Sequence, residues 1–356
     1  MDSSTDDRSI TSRNLWVGTL RRDLMKGQPV RLPSTPFLVR RARREVGQNA
    51  GTYVKCELGD QTGWIDAVWW EASRLGDQSL EQLMAAPVWA VEGTASLHRY
   101  GGRETPQVRM EKASPVAGAD PLEIPGLVRR SASTEEELGA WLSATIAQLQ
   151  NQPLKLLLED TLGEGGSWHA SYLRAPAALF YHHAYIGGLV DHVREMVSLG
   201  LASLATFEKV DRDLTLAGVL LHDVGKLDTF SSDPVPQIAR AGRYVDHITA
   251  GIARLSRAME DHSNFPAGLR EHLLHIVASH HGEKEHGSPV IPATREAIVV
   301  HHLDRLSSLL SHFEEWGRQS PVDQFGWSTD PSPWLKVPLA SSTVIPDSFE
   351  DGDPEQ

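Results

Sequence analysis

The hydrophobic pattern of this chain changes period once, and that change limits what the chain can fold into. Between residues 15 and 117 apolar side chains recur at alternate positions, as in strands. From Thr134 onward they recur at helical spacing. One regular architecture cannot satisfy both periods, so the chain divides into an all-β part and an all-α part. Its 356 residues are enough for two cores, at roughly 150 residues per domain.

In the first part Phe37-Leu38-Val39 leads into the basic run Arg40-Arg41-Ala42-Arg43-Arg44, and a turn over Gly47–Gly51 follows. On the return, Val54, Cys56 and Leu58 alternate with Tyr53, Lys55 and Glu57. Gly59–Gly63 turns the chain into Trp64–Trp70. A short helical stretch, Ser79–Ala86, precedes Val88–His98, a Gly101-Gly102 turn and Gln107–Lys112. The order β-β-β-α-β-β predicts a five-stranded OB barrel. In the second part Thr134-Glu135-Glu136-Glu137 reads as a helix start. The apolar spacing predicts helices over 134–150, 153–162, 175–180, 183–205, 211–223, 246–260, 266–281 and 293–316, with no strands. The expected organisation is a flexible leader (1–14), the barrel (15–117), a Pro/Gly-containing linker (118–133), the helical domain (134–316) and an acidic Pro-rich tail (317–356).

The formal net charge of −13 is unevenly spread. Residues 13–117 hold 15 Lys and Arg against 11 Asp and Glu, whereas residues 118–356 hold 18 against 33. The acidic total therefore conceals a basic barrel and does not exclude a nucleic-acid partner. The single cysteine, Cys56, rules out an internal disulfide and any cysteine-built zinc or iron–sulfur site, so a metal here would sit on nitrogen and oxygen. No apolar run approaches the roughly 20 residues that span a bilayer, and the N-terminus lacks a signal-peptide core. The expectation is a cytoplasmic protein with no membrane partner.

Fourteen of the 16 histidines fall between His182 and His312. The most informative string is Leu220-Leu221-His222-Asp223-Val224-Gly225-Lys226, in which an apolar helix delivers His and Asp side by side and a glycine turns the chain away. By itself such a pair is more often a solvated helix end. It is joined by His192 in an apolar helix, His247 at a helix start, the pair His280-His281 at a helix end, and Asp304. Neutral imidazoles and carboxylates suit Mn, Fe, Co, Ni or Mg. Lys226 could meet a phosphate oxygen or merely complement the helix dipole. His182 and His183 could contact a substrate phosphate or cap a helix, and His301 lies one turn before Asp304.

The order H…HD…H…HH…D resembles the HD phosphohydrolase superfamily in its two-metal form. More specifically, the strings His182–His192, Ala217–Lys226, His247–Gly251 and Ser279–Glu283 resemble the YhaM-type 3′→5′ exoribonucleases, a family that also places an OB domain before its HD domain. The resemblance covers about residues 15–313. It implies that His192, His222, Asp223 and Asp304 hold one ion, and that Asp223 bridges to a second held by His247, His280 and His281. Manganese stands first among the candidate ions. Two ions about 3.5–4 Å apart can clamp a phosphodiester and activate water. With Asp223, the residues implied to carry the chemistry are Lys226, His182 and His183. The acidic tail and the tryptophans Trp64, Trp69 and Trp70 of the third strand depart from the family pattern.

The basic barrel fits that role on physical grounds. Arg40, Arg41, Arg43 and Arg44 offer charge to a phosphate backbone, and Tyr53, Trp64 and Trp70 offer rings to bases. Alternatively, Trp64 and Trp70 bury against the helical domain or a neighbouring subunit, and self-association is left open. The reading is a metal-dependent phosphodiesterase that trims single-stranded RNA, or DNA, from the 3′ end to nucleoside monophosphates. Its rivals are an HD phosphohydrolase of a small nucleotide or cyclic dinucleotide, and a non-catalytic single-strand-binding protein.

Overall fold

A computed structural model describes residues 15–47, 51–70, 86–100, 103–180, 182–231, 235–320, 323 and 325–340. The expected leader, the middle of the Gly47–Gly51 turn, the short helix before Ala86, the Gly101-Gly102 turn and the tail beyond Ala340 lie outside the described residues. The chain separates into two compact units, one ending at Arg129 and the other beginning at Arg130, with residues 318–323 grouped with the first.

The first unit is a closed barrel of β1 (Val30–Val46), β2 (Thr52–Asp60), β3 (Gly63–Trp69), β4 (Val88–Tyr100) and β5 (Arg103–Pro115). The strand order is β1-β2-β3-β5-β4. Only β3 and β5 run parallel, with Asp66 opposite Gln107, and β4 returns to β1. This is the topology of an OB barrel. β1 begins at Val30, seven residues before the expected Phe37, because one strand must serve two partners. Its first half pairs with β4 and its second half with β2. Register shifts at Leu32/Thr35 and Arg40/Arg43 bend it between the two, with Arg41 at φ 53°. At Gly93 the β4–β5 approach is so close that a Cβ would lie 2.2 Å from the Arg109 carbonyl oxygen.

A helix that the alternation did not reveal, α1 (Val17–Leu24), buries Val17, Leu20 and Leu24 in the barrel core. Its amino end is held by the β2–β3 turn: the Val17 amide donates to Asp60 Oδ2 at 2.8 Å and the Gly18 amide to Thr62 Oγ1 at 2.8 Å. Ile65, Ala67 and Trp69 line the same core.

The second unit is helical. It comprises α2 (Glu135–Ala147), α3 (Gln152–Thr161), α4 (His169–Arg174), α5 (Gly188–Thr206), α6 (Arg212–Leu221), α7 (Lys226–Thr229), α8 (His247–Asp261), α9 (Ala267–Ser279) and α10 (Arg295–Gln319). The expected start at Thr134 forms a full capping box with Glu137, and Asn151, Asp211 and Asp246 cap α3, α6 and α8. Three expectations are corrected. The helix expected over 175–180 is replaced by α4, which ends where Ala175, extended ahead of Pro176, leaves the helical region. The helix expected from 183 starts at Gly188, because His183 has φ 45° and Gly187 φ 82°. Finally, β6 (Phe230–Ser231) and β7 (Gln237–Ile238) form a small hairpin among the helices. Leu142, Leu158, Tyr172, Val193, Leu220, Met259, Ile276 and Val300 are among the buried side chains of the core.

Beyond α10, residues 327–340 fold back on themselves. Trp327 bridges Ala340, the Ser328 amide donates to the Leu339 carbonyl at 2.7 Å, and the Ser332 amide donates to the Val337 carbonyl at 2.8 Å.

Candidate metal centre

α6 is apolar from Leu214 to Leu221 and wholly buried over that stretch, so the residues that follow it start deep inside the unit. His222 and Asp223 stand there, both buried. His222 Nδ1 donates to the Val219 carbonyl at 2.8 Å, which leaves Nε2 with its lone pair facing inward. The same device recurs at the end of α9, where His280 Nδ1 donates to the Val277 carbonyl at 2.8 Å. It recurs again at His281, whose Nδ1 donates to the His286 carbonyl at 2.7 Å. His192 on α5 is set differently. Ser307 donates to Glu195 Oε2 at 2.5 Å and accepts from His192 Nδ1 at 2.9 Å, fixing the same tautomer through two side chains.

These oriented rings form two groups, each with its donor atoms within 4.8 Å of one another: His192, His222 and Asp304, and His247, His280 and His281. Asp223 lies between them. Its Oδ2 is 3.0 Å from His222 Nε2, and its Oδ1 is 3.6 Å from the Nε2 atoms of both His247 and His280. In the first group His192 Nε2 is 3.2 Å from Asp304 Oδ1, and Ser308 Oγ donates to that oxygen at 3.1 Å. Nε2 of His192, His222 and His280 and Oδ1 of Asp223 are buried without a hydrogen-bond partner among the described residues. Four converging buried lone pairs without a proton donor would be costly in a purely structural core. They fit divalent cations, and the nitrogen and oxygen donor set fits hard or borderline ions.

The electrostatics point the same way. Burial would raise the Asp223 carboxyl, but Lys226, His222 and His247 outweigh it and hold that group well below the usual carboxylate range. Burial likewise opposes ionisation of Asp304, and His192 and His222 prevail there. Burial lowers His192, lowers His247 to about 4, and takes His280 well down. At neutral pH these three imidazoles are neutral and both carboxylates ionised, the protonation state that ligation requires. His222 is the exception: burial lowers it, but the Asp223 carboxylate more than compensates and its pKa rises.

Two glycines let the elements meet. A Cβ at Gly225 would lie 1.8 Å from the His247 carbonyl oxygen, and one at Gly188 would lie 1.9 Å from the His183 carbonyl oxygen. The first sets the approach of α8 to the His222-Asp223 corner, and the second the tight loop that starts α5.

Lys226 Nζ lies 2.5 Å from Asp223 Oδ2 and, with His182, lines a cavity of about 480 Å³ whose walls also include His280, His281, His301 and Asp304. His183 is not among the lining residues; it is buried, and its Nε2 lies 3.0 Å from Glu195 Oε1. A larger cavity of about 680 Å³ beside Trp168 and Arg254 contains none of the candidate donors.

In the barrel, Arg40 and Arg41 pair with Glu57 at 2.5 and 2.8 Å, and Arg43 pairs with Glu45 at 2.7 Å, so much of that basic run is internally compensated. Arg44 is exposed. Trp64 packs over Gly59, where a Cβ would come within 2.4 Å of the indole, and the Arg40 guanidinium lies 3.8 Å from its ring centroid. Tyr53 and Trp70 stack with centroids 4.5 Å apart, and Trp70 remains 44% exposed.

Sequence reasoning missed Glu195, Ser307, Ser308 and the stretch around Trp334. Helical spacing held a signal for the first three, since Glu195 follows His192 by three positions and Ser307 and Ser308 follow Asp304 by three and four. No local pattern marked the fourth.

Residues 189–309 match the HD domain family, so the helical unit contains an HD domain. The chain is similar to the 3′-5′ exoribonuclease YhaM of Bacillus subtilis strain 168, at 27% identity over 277 residues, covering 77% of this chain and 84% of that protein. The YhaM proteins of Bacillus pumilus and Bacillus velezensis are likewise 27% identical, over 279 and 274 residues. Among the described residues no helix is long and apolar enough to cross a membrane.

Proposed function

We propose that this chain, an HD-domain homologue of the YhaM proteins, is a metal-dependent 3′–5′ exoribonuclease releasing nucleoside monophosphates. The observation that carries the reading is the set of six His and Asp side chains grouped around Asp223, in which Nε2 of His192, His222 and His280 and Oδ1 of Asp223 are buried with no hydrogen-bond partner among the described residues. Two divalent ions, manganese first, held by His192, His222, Asp223 and Asp304 and by Asp223, His247, His280 and His281, would supply positive charge at the scissile phosphate and a water-derived nucleophile at neutral pH.

The chain's own groups have distinct tasks. Asp223 stays ionised and holds the Lys226 ammonium at the cavity wall, where its remaining protons can meet a non-bridging phosphate oxygen. His182, kept neutral by burial and with Nδ1 unpartnered among the described residues, stands in the same wall to hydrogen-bond that phosphate. Glu195 and Ser307 hold His192 in its tautomer, and His183 buttresses Glu195. The barrel would hold the strand: Tyr53 and Trp70 supply a stacking platform, with Arg44 and Lys55 nearby in sequence. Single-stranded DNA is an alternative substrate, since discrimination depends on contacts to the 2′-hydroxyl. A cytoplasmic location and self-association through the barrel belong to the same proposal.

The test is a 5′-labelled RNA oligonucleotide with Mn²⁺. Wild type should shorten it stepwise from the 3′ end and Asp223→Ala should not. A strand left at full length by wild type overturns the reading.

A further inference from the structure

The cavity beside the candidate metal ligands is completed by a segment outside the HD match. Pro333, Trp334 and Lys336 line it together with His182, Lys226 and Asp304. The Trp334 ring is half-buried, with its centroid 5.7 Å from the His182 ring and 5.4 Å from the His312 ring. The segment is fixed there by a buried network. Ser332 Oγ accepts from the Trp334 and Leu335 amides at 3.2 and 3.0 Å and lies 2.7 Å from Nε2 of the buried His312. Lys336 adopts φ 60°, a left-handed conformation uncommon for a residue with a side chain and often found at functional sites. Lys336 and Arg305 are both exposed cavity-lining cations, and neither is in an ion pair among the described residues.

The Trp334 ring, two cations outside any ion pair among the described residues and the Asp223-bound Lys226 thus line a space of about 480 Å³. That volume falls in the range of small-ligand sites and is too small for a long stretch of strand. We propose that residues 327–340 are the nucleotide-recognition wall of the catalytic pocket. In this arrangement Trp334 stacks on the base of a single terminal nucleotide, while Lys336 and Arg305 engage its phosphate. The assignment of that nucleotide as the 3′ end of RNA rests on the exoribonuclease reading; the mononucleotide site itself does not.

The test measures binding of AMP and of ribose 5-phosphate to the metal-loaded full chain by calorimetry, beside RNA trimming. Trp334→Ala should weaken AMP at least about tenfold, the scale of a lost base stack, leave ribose 5-phosphate unchanged, and keep the wild-type ion content. Trp334→Phe should restore most of the AMP affinity. Lys336→Gln, at an exposed side chain, should weaken both ligands about twofold to fivefold. Unchanged AMP affinity in Trp334→Ala overturns the wall even if RNA is trimmed normally. Faster trimming with unchanged AMP affinity also overturns it, because the segment would then merely cover the site. If wild type does not trim RNA but the AMP pattern holds, the mononucleotide site stands and the exoribonuclease reading falls.

Discussion

Gly225→Ala probes how the two ligand groups are brought together. Gly225 follows Asp223 by two residues and has φ −67°, open to any amino acid, so the cost of alanine lies in collision and not in backbone conformation. A Cβ there would stand 1.8 Å from the His247 carbonyl oxygen and 2.4 Å from the Gly251 amide nitrogen. Reaching even a tight 3.0 Å contact requires the first turn of α8 to retreat by about 1.2 Å. His247 begins that turn, with Nε2 3.6 Å from Asp223 Oδ1, so the retreat opens the second ligand group and leaves the first in place. Overpacking of this kind costs about 1–3 kcal/mol, and a misplacement near 1 Å at a reacting centre can cost roughly 10²-fold in rate. Urea unfolding should show that loss, elemental analysis should show a shortfall of one ion per chain, and RNA trimming should fall about 100-fold. A variant that keeps both ions and the wild-type rate would refute the argument that the α6–α8 approach builds the second site.

Other consequences are separately measurable. Ser307→Ala deprives His192 Nδ1 of its acceptor, so Mn²⁺ titration should show about 10- to 100-fold weaker binding; unchanged affinity would contradict a positioning role for Ser307 and Glu195. Burial would raise the Glu57 carboxyl, but Arg40 and Arg41 outweigh it and lower its pKa below the ordinary 4.5. Its charge therefore stabilises the barrel above that value and ceases to as pH falls through the lowered one. Glu57→Gln should cost about 1 kcal/mol at pH 7, with the gap to wild type closing in acid denaturation as the pH falls through the lowered pKa; a gap independent of pH would count against it. Burial pushes the Cys56 thiol up to about 12, so a thiol reagent at pH 8 should label the chain only as it unfolds, and rapid labelling of native protein would contradict the packing.

The barrel was legible because alternation fixes which face of each strand is buried, as Ile65, Ala67 and Trp69 show. α1 was not, because eight residues give little periodicity and its position depends on Asp60 and Thr62, more than 40 residues away. The grouping of the histidines could be anticipated from type and order, and the structure brings His192, His222 and Asp304, and His247, His280 and His281, within reach of one another. What orients them could be read only in part: His281 is set by the His286 carbonyl, and backbone acceptors leave no mark in side-chain identity. Helix boundaries at 175–188 failed where Pro176 and the left-handed His183 and Gly187 overrode an apolar stretch. Nothing in the sequence pointed to Trp334, because its approach to His182 spans most of the helical unit and follows no period.

The most direct test of the account is a count of ions. Purified full-length chain, saturated with Mn²⁺, passed through a desalting column and analysed for metal, should carry two ions per chain. Asp223→Ala, which removes the carboxylate between both groups, should carry fewer than one. A folded wild-type chain that retains no divalent ion, or an Asp223→Ala chain that retains two, would contradict the two-ion centre on which the functional reading stands.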